Sequence, residues 1–131
     1  MSNEGLSSTY GGDASPAATP QVAGGWRDGA KITDPGAGSV MKSHTFPNTG
    51  EYFLQFLMKA QVQAKYDIQH RNVGDTATLH SFEVDIPPNL PVDLLLTPGL
   101  TFLKDELIKV VNVNAYTGVG QVSILDTELV G

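Results

Sequence analysis

Three histidines and a scatter of carboxylates are the residues with reactive potential in this chain, which holds no cysteine. His70 and His80 fall on the same parity of two alternating runs. If those runs pair, the imidazoles face each other or lie diagonally, which is how a metal site begins. No thiolate joins them and no carboxylate shares that parity nearby. His44 lies too far along the chain to be placed with them. The pair reads as hydrogen-bonded and half-buried at a sheet end or a subunit contact, so no metal is expected. Glu83, Asp85 and Asp93 could flank a sugar as acid and base. Glu83 and Asp85 share a solvent-facing parity, however, where acids keep a strand soluble and its edge unattractive to other strands. "DTATLHS" offers Thr76, Ser81 and a histidine without a nucleophile elbow. "TGVGQ" and "PGAGS" lack a Walker lysine and a strand-to-helix setting, and read as turns. Asp105, Glu106, Asp126 and Glu128 lack the spacing of a calcium loop. The expectation is a protein that is not an enzyme and carries no cofactor.

The totals narrow the remaining classes. At 131 residues the chain has room for one modest core. A net charge of −6, with eight Lys and Arg spread along it, disfavours nucleic acid as a partner. No apolar run approaches the roughly 20 residues of a membrane helix, so no membrane partner is expected. "MSNEGLSSTYGGD" has neither a basic n-region nor an apolar h-region, so no secretory signal is read there.

Two unlike parts follow one another. Residues 1–45 hold eight of the 14 glycines and few large apolar side chains, with no period of 2 or 3.6. Such a segment buries too little surface to offset an ordering entropy of roughly 1–2 kcal/mol per residue. It is expected to be an extended arm supported by partner chains. At about 3.3 Å per residue it would reach more than roughly 100 Å. Within it "GGWRDG" carries the only tryptophan. Trp26 and Arg27 are residue types favoured as interface anchors, and with Tyr10 they are the arm's candidate partner-binding residues.

Residues 46–131 read as an all-β domain. From Tyr52 to Ile68 apolar side chains recur at every second position, as one long strand or two in line with a break near Met58. Phe53 and Leu57 add apolar groups on the other parity. They are the domain's candidate partner-binding residues, and the surplus of apolar surface at 52–57 predicts an interface, taken as a homotrimer. "RNVGDTA" is a turn into a second alternating run, Thr78 to Ile86. Pairing Tyr66 with Phe82 is preferred, because it sets Lys65 opposite Glu83, whereas pairing with Val84 sets Asp67 against Glu83. "PPNLP" and "TPG" break the chain around Leu90–Leu96, and Leu100–Leu103 is a short strand. Leu107–Tyr116 switches parity near Val110 and Val111, which suggests a bulge. "TGVG" turns into a closing strand. Six or seven strands without a helix predict an antiparallel β-sandwich or small barrel, jelly-roll-like, with a long extended N-terminal arm.

The polar "QHRN" turn, the "IPPNLPVDLLL" lead-in to a strand, and "DELIKVVNVNA" before a Gly-containing turn and closing strand together resemble the small all-β virion proteins of tailed bacteriophages. They are similar especially to capsid decoration or cement proteins, over residues 60–131. The resemblance implies a protein made in the host cytoplasm and placed on the capsid surface. Its partners would be the major capsid protein or other virion proteins, with the arm tying neighbouring subunits together. It carries over no site residue. The alternative is a glycan- or receptor-binding sandwich module of a phage fibre or tail, for which Tyr10, Trp26, Tyr52, Tyr66 and Tyr116 are too dispersed to form a stacking platform.

Overall fold

The computed structural model describes residues 21–129, all as strands, turns and loops, with no helix among them. The strands are β1 (Gln21–Asp28), β2 (Ile32–Thr33), β3 (Val40–Thr45), β4 (Gly50–Ala60), β5 (Ala64–Arg71), β6 (Thr78–Ile86), β7 (Val92–Phe102), β8 (Leu107–Asn112) and β9 (Val119–Leu129). One sheet runs β1-β9-β4-β7, with β2 also on β9, and the other runs β3-β8-β5-β6. Every pairing between named strands is antiparallel. Two sheets that share out the strands in this order make a jelly-roll sandwich. The all-β expectation therefore holds, as a sandwich and not a closed barrel.

The alternation that dominates the sequence builds the core. Tyr52, Leu54, Phe56 and Met58 on β4 face Tyr66 and Ile68 on β5, all at most 2% exposed. Phe46 stacks on Phe102 with ring centroids 4.0 Å apart. It is held at the backbone by Phe46 N–H to Glu106 O (2.9 Å) and Asp105 N–H to Phe46 O (2.8 Å). The long run is two strands, but the break lies at residues 61–63, beyond Met58, and β4 and β5 belong to different sheets. The even parity survives the crossing because both strands turn the same set inward.

Four expectations need correction. The boundary at residue 45 does not divide arm from sheet. β1, β2 and β3 lie before it and pair with β9 and β8, whose edges supply backbone partners to a segment too poor in apolar side chains to announce itself. Residues 1–20 and Tyr10 lie outside the described residues. The β5–β6 hairpin pairs Tyr66 with Val84 and Asp67 with Glu83. Its register is set by the turn, where Asn72 Oδ1 accepts from the N–H groups of Thr76 and Ala77 at 2.8 Å each. The acids are accommodated by Lys65, whose Nζ lies 3.7 Å from the diagonal Glu83 and 3.9 Å from Asp85 directly opposite, while Gln69 Nε2 donates to Asp67 at 2.9 Å. "TPG" is not a break but an irregularity inside β7, at the register shift opposite Tyr52 and Leu54. The bulge anticipated near Val110 and Val111 exists on the partner strand, between Val40 and Lys42.

The apolar surplus expected at residues 52–57 is largely internal. Tyr52, Leu54 and Phe56 are in the core, and Phe53 and Leu57, on the outward parity, are half-buried. Most exposed large apolar side chains among the described residues lie elsewhere: Leu79, Phe82, Leu95 and Leu100 on the edge strands β6 and β7, Leu90 and Leu103 in the loops beside β7, with Val40 on β3 and Val73 in the hairpin turn besides.

Candidate functional site

Two surfaces of the sandwich stand out. The first is the outer face of the β1-β9-β4-β7 sheet. Even-numbered residues of β4 fill the core, so Phe53, Gln55 and Leu57 face outward. The pairing places Gln55 between Leu125 on β9 and Leu95 on β7. Leu95 is 56% exposed, and Gln55 Nε2 donates to Asp93 Oδ1 at 2.8 Å, steadying the polar side of the face.

Of the residues singled out in sequence, Phe53 and Leu57 lie on this face. The backbone register sets Trp26 opposite Leu125 and Arg27 opposite Ile124. Trp26 thus occupies the row that continues through Leu125 and Gln55 to Leu95. Phe53 lies in the row of Thr127 and Leu57 in the row of Ser123, one on either side. Leu95 and Leu125 were missed because each sits in a strand whose other parity is equally apolar. Only the pairing tells which set is inside.

The second surface is a groove of about 470 Å³ between the edges of the two sheets, lined by Phe82, Leu96, Leu100, Phe102, His70 and His80 among others. His70 and His80 do face each other across the hairpin, with ring centroids 5.9 Å apart. The partner of His70 comes from another loop. Glu106 Oε1 accepts from His70 Nε2 at 2.9 Å and from the Leu103 N–H at 2.9 Å. Burial alone would raise the Glu106 carboxyl, but the Leu103 N–H and His70 outweigh it and hold it below the usual range. Glu106 was invisible to strand parity because it projects from a turn. Among the described residues no group of three or more metal-ligating side chains comes together. The opposite side of the sandwich is crossed by His44 and Asp126, with Nε2 3.3 Å from Oδ2.

Supporting contacts fix these surfaces. Asp75 accepts from Arg71 Nε and Lys109 Nζ at 2.6 Å each, tying the hairpin turn to β8. Lys109 first, and Arg71 after it, hold the Asp75 carboxyl below its usual range. The hydroxyl of Tyr66 donates to Lys59 O (3.1 Å) and lies 2.6 Å from that of Tyr116. Burial, reinforced by Tyr116, pushes the Tyr66 phenol upward. A Cβ on Gly120 would collide with both hydroxyls, so glycine is required at that place in β9.

No protein-family model and no curated protein matches the sequence. A solved structure reported under the statement that "Bacillus endospore appendages form a novel family of disulfide-linked pili" is similar over 92% of this chain and 97% of that one, with a TM-score of 0.51 and 7% identity. At that identity the likeness shows the fold: a single sandwich of the same build, matched over nearly its whole length.

Proposed function

We propose that the chain is a structural subunit of a larger protein assembly, and that it works as a capsid decoration protein seated on the virion surface, outside any catalytic role. The observation that carries this reading is the outer face of the β1-β9-β4-β7 sheet, where Phe53, Leu57, Leu95 and Leu125 give one sheet an apolar strip without a core to cover. A broad apolar strip rimmed by polar groups marks a protein-binding surface. The resemblance of residues 60–131 to phage decoration proteins points to a shell as the partner. The pilus-forming neighbour supports a structural role for this kind of sandwich. Its disulfide linkage does not transfer, since this sequence has no cysteine.

The test is co-sedimentation of purified chain with undecorated capsid shells, comparing wild type with Leu95→Lys. Leu95 is exposed enough for the variant to fold. Wild type is expected to pellet with shells and the variant to bind at least tenfold more weakly. Equal binding, or none by wild type, contradicts the proposal.

A further inference from the structure

The open side between β6 and β7 has the form of an unfinished interface. β6 is nine residues long, contains neither proline nor glycine, and among the described residues pairs with β5 on one edge only. Phe82 shares the parity of Val84 and Ile86 and pairs with Ile68 of the core, yet it is 41% exposed, and Leu79 on the other parity is 45% exposed. β7, facing it across the groove, leaves Leu100 38% exposed. A long edge strand with exposed apolar side chains is a template for another strand. Pro98 deprives β7 of an N–H within its run, so β6 is the edge suited to hydrogen bonding and β7 the edge suited to side-chain packing.

We propose that a second copy of this chain closes this side, with β6 pairing antiparallel to its twofold mate in a register centred on Phe82. The charge pattern of β6 selects that register. Centring on Phe82 sets Glu83 opposite Ser81 of the second copy and Asp85 opposite Leu79, so no acid meets an acid directly. Each copy's Lys65 already flanks its own Glu83 and Asp85. Opposed like charges would penalise a register centred on Glu83. The two Phe82 rings then meet at the dyad and the two grooves merge into one apolar layer. Leu96 and Leu100 of both copies lie along it. A nine-residue strand is about 30 Å long. With the depth of two sheets, about 20 Å, the side is of the order of the roughly 800 Å² each partner contributes to a stable interface. The pairing leaves the outer face of the β1-β9-β4-β7 sheet free, so it stands independently of shell attachment.

Sedimentation of the full chain in solution tests this. Wild type is expected at twice 13.9 kDa at micromolar concentration, and Phe82→Lys at 13.9 kDa with unchanged far-UV circular dichroism. With no native cysteine, the register can be read directly. Phe82→Cys is expected to cross-link to itself on mild oxidation, because directly opposed Cα atoms at about 4.5–5.5 Å lie within disulfide reach. Leu79→Cys alone is expected not to, whereas a mixture of Leu79→Cys and Asp85→Cys chains is. A monomeric wild type, a dimer that survives Phe82→Lys, or self-cross-linking of Leu79→Cys overturns the proposal. So does loss of the dimer on deleting residues 1–20, which would make that segment the occupant of the groove.

Discussion

Glu106 shows how one side chain can hold a loop to a sheet. Its single oxygen Oε1 accepts from the Leu103 N–H in its own turn and from His70 on β5. Because the folded-state carboxyl is held below its usual range, its contribution is present above the unfolded carboxyl value, about 4.3 for glutamate, and is lost as pH falls through the depressed folded value. Glu106→Gln is expected to cost about 1–3 kcal/mol near neutral pH, the scale of a charge-assisted bond. The difference from wild type should shrink on acidification. Urea denaturation of both proteins between pH 7 and pH 3 measures this, and a gap that stays constant over the range would refute it. Phe46 makes the complementary case for packing. It is fully buried, stacked on Phe102 and tilted against Tyr52 at 4.7 Å. Phe46→Ala should cost about 3–5 kcal/mol by transfer and cavity terms, visible as a lowered urea midpoint. A loss under 1 kcal/mol would mean the aromatic cluster collapses around the gap.

Strand identity was legible where one parity is apolar and the other polar, as in β4, β5 and the even positions of β8. It was illegible where pairing, not side-chain burial, makes the strand. β1 to β3 draw their order from the backbone edges of β8 and β9, and neither glycines nor scattered apolar residues signal that. The hairpin register failed for a related reason. Direct opposition of Asp67 and Glu83 carries a charge cost, but Lys65 reaches Glu83 diagonally as well as Asp85 directly opposite it, and the Asn72 turn leaves no freedom to slip. Of the candidate site, the residue types were foreseen in Trp26, Phe53 and Leu57, but the adjacent rows that relate their positions exist only once β9 lies between β1 and β4. The arm prediction changes accordingly. Removing residues 1–45 deletes three strands and is expected to unfold the domain. Removing residues 1–20 is expected to leave the far-UV circular dichroism and urea midpoint intact. If the longer deletion folds cooperatively with an unchanged midpoint, β1 to β3 are dispensable and this account of the sheets is wrong.

At the scale of the molecule, among the described residues, the side between β6 and β7 is open, and one sheet carries an apolar strip on its outer face. Those asymmetries suit a part of an assembly better than a free-standing domain. The outer strip would seat the subunit on a shell, and the open edge would join it to its twin. Charge is expected to play a small part in the proposed attachment, because Phe53, Leu57, Leu95 and Leu125 carry no charge and exposed charges are screened within about 8–10 Å at ordinary ionic strength. Binding to shells should therefore weaken little between low and high salt. The central claim is that the outer face of the β1-β9-β4-β7 sheet meets the partner. Electron cryomicroscopy of decorated particles tests it most directly. The map is expected to place Phe53, Leu57 and Leu95 against the shell surface. A map in which that face points to solvent while the sandwich is held by other surfaces would contradict the account.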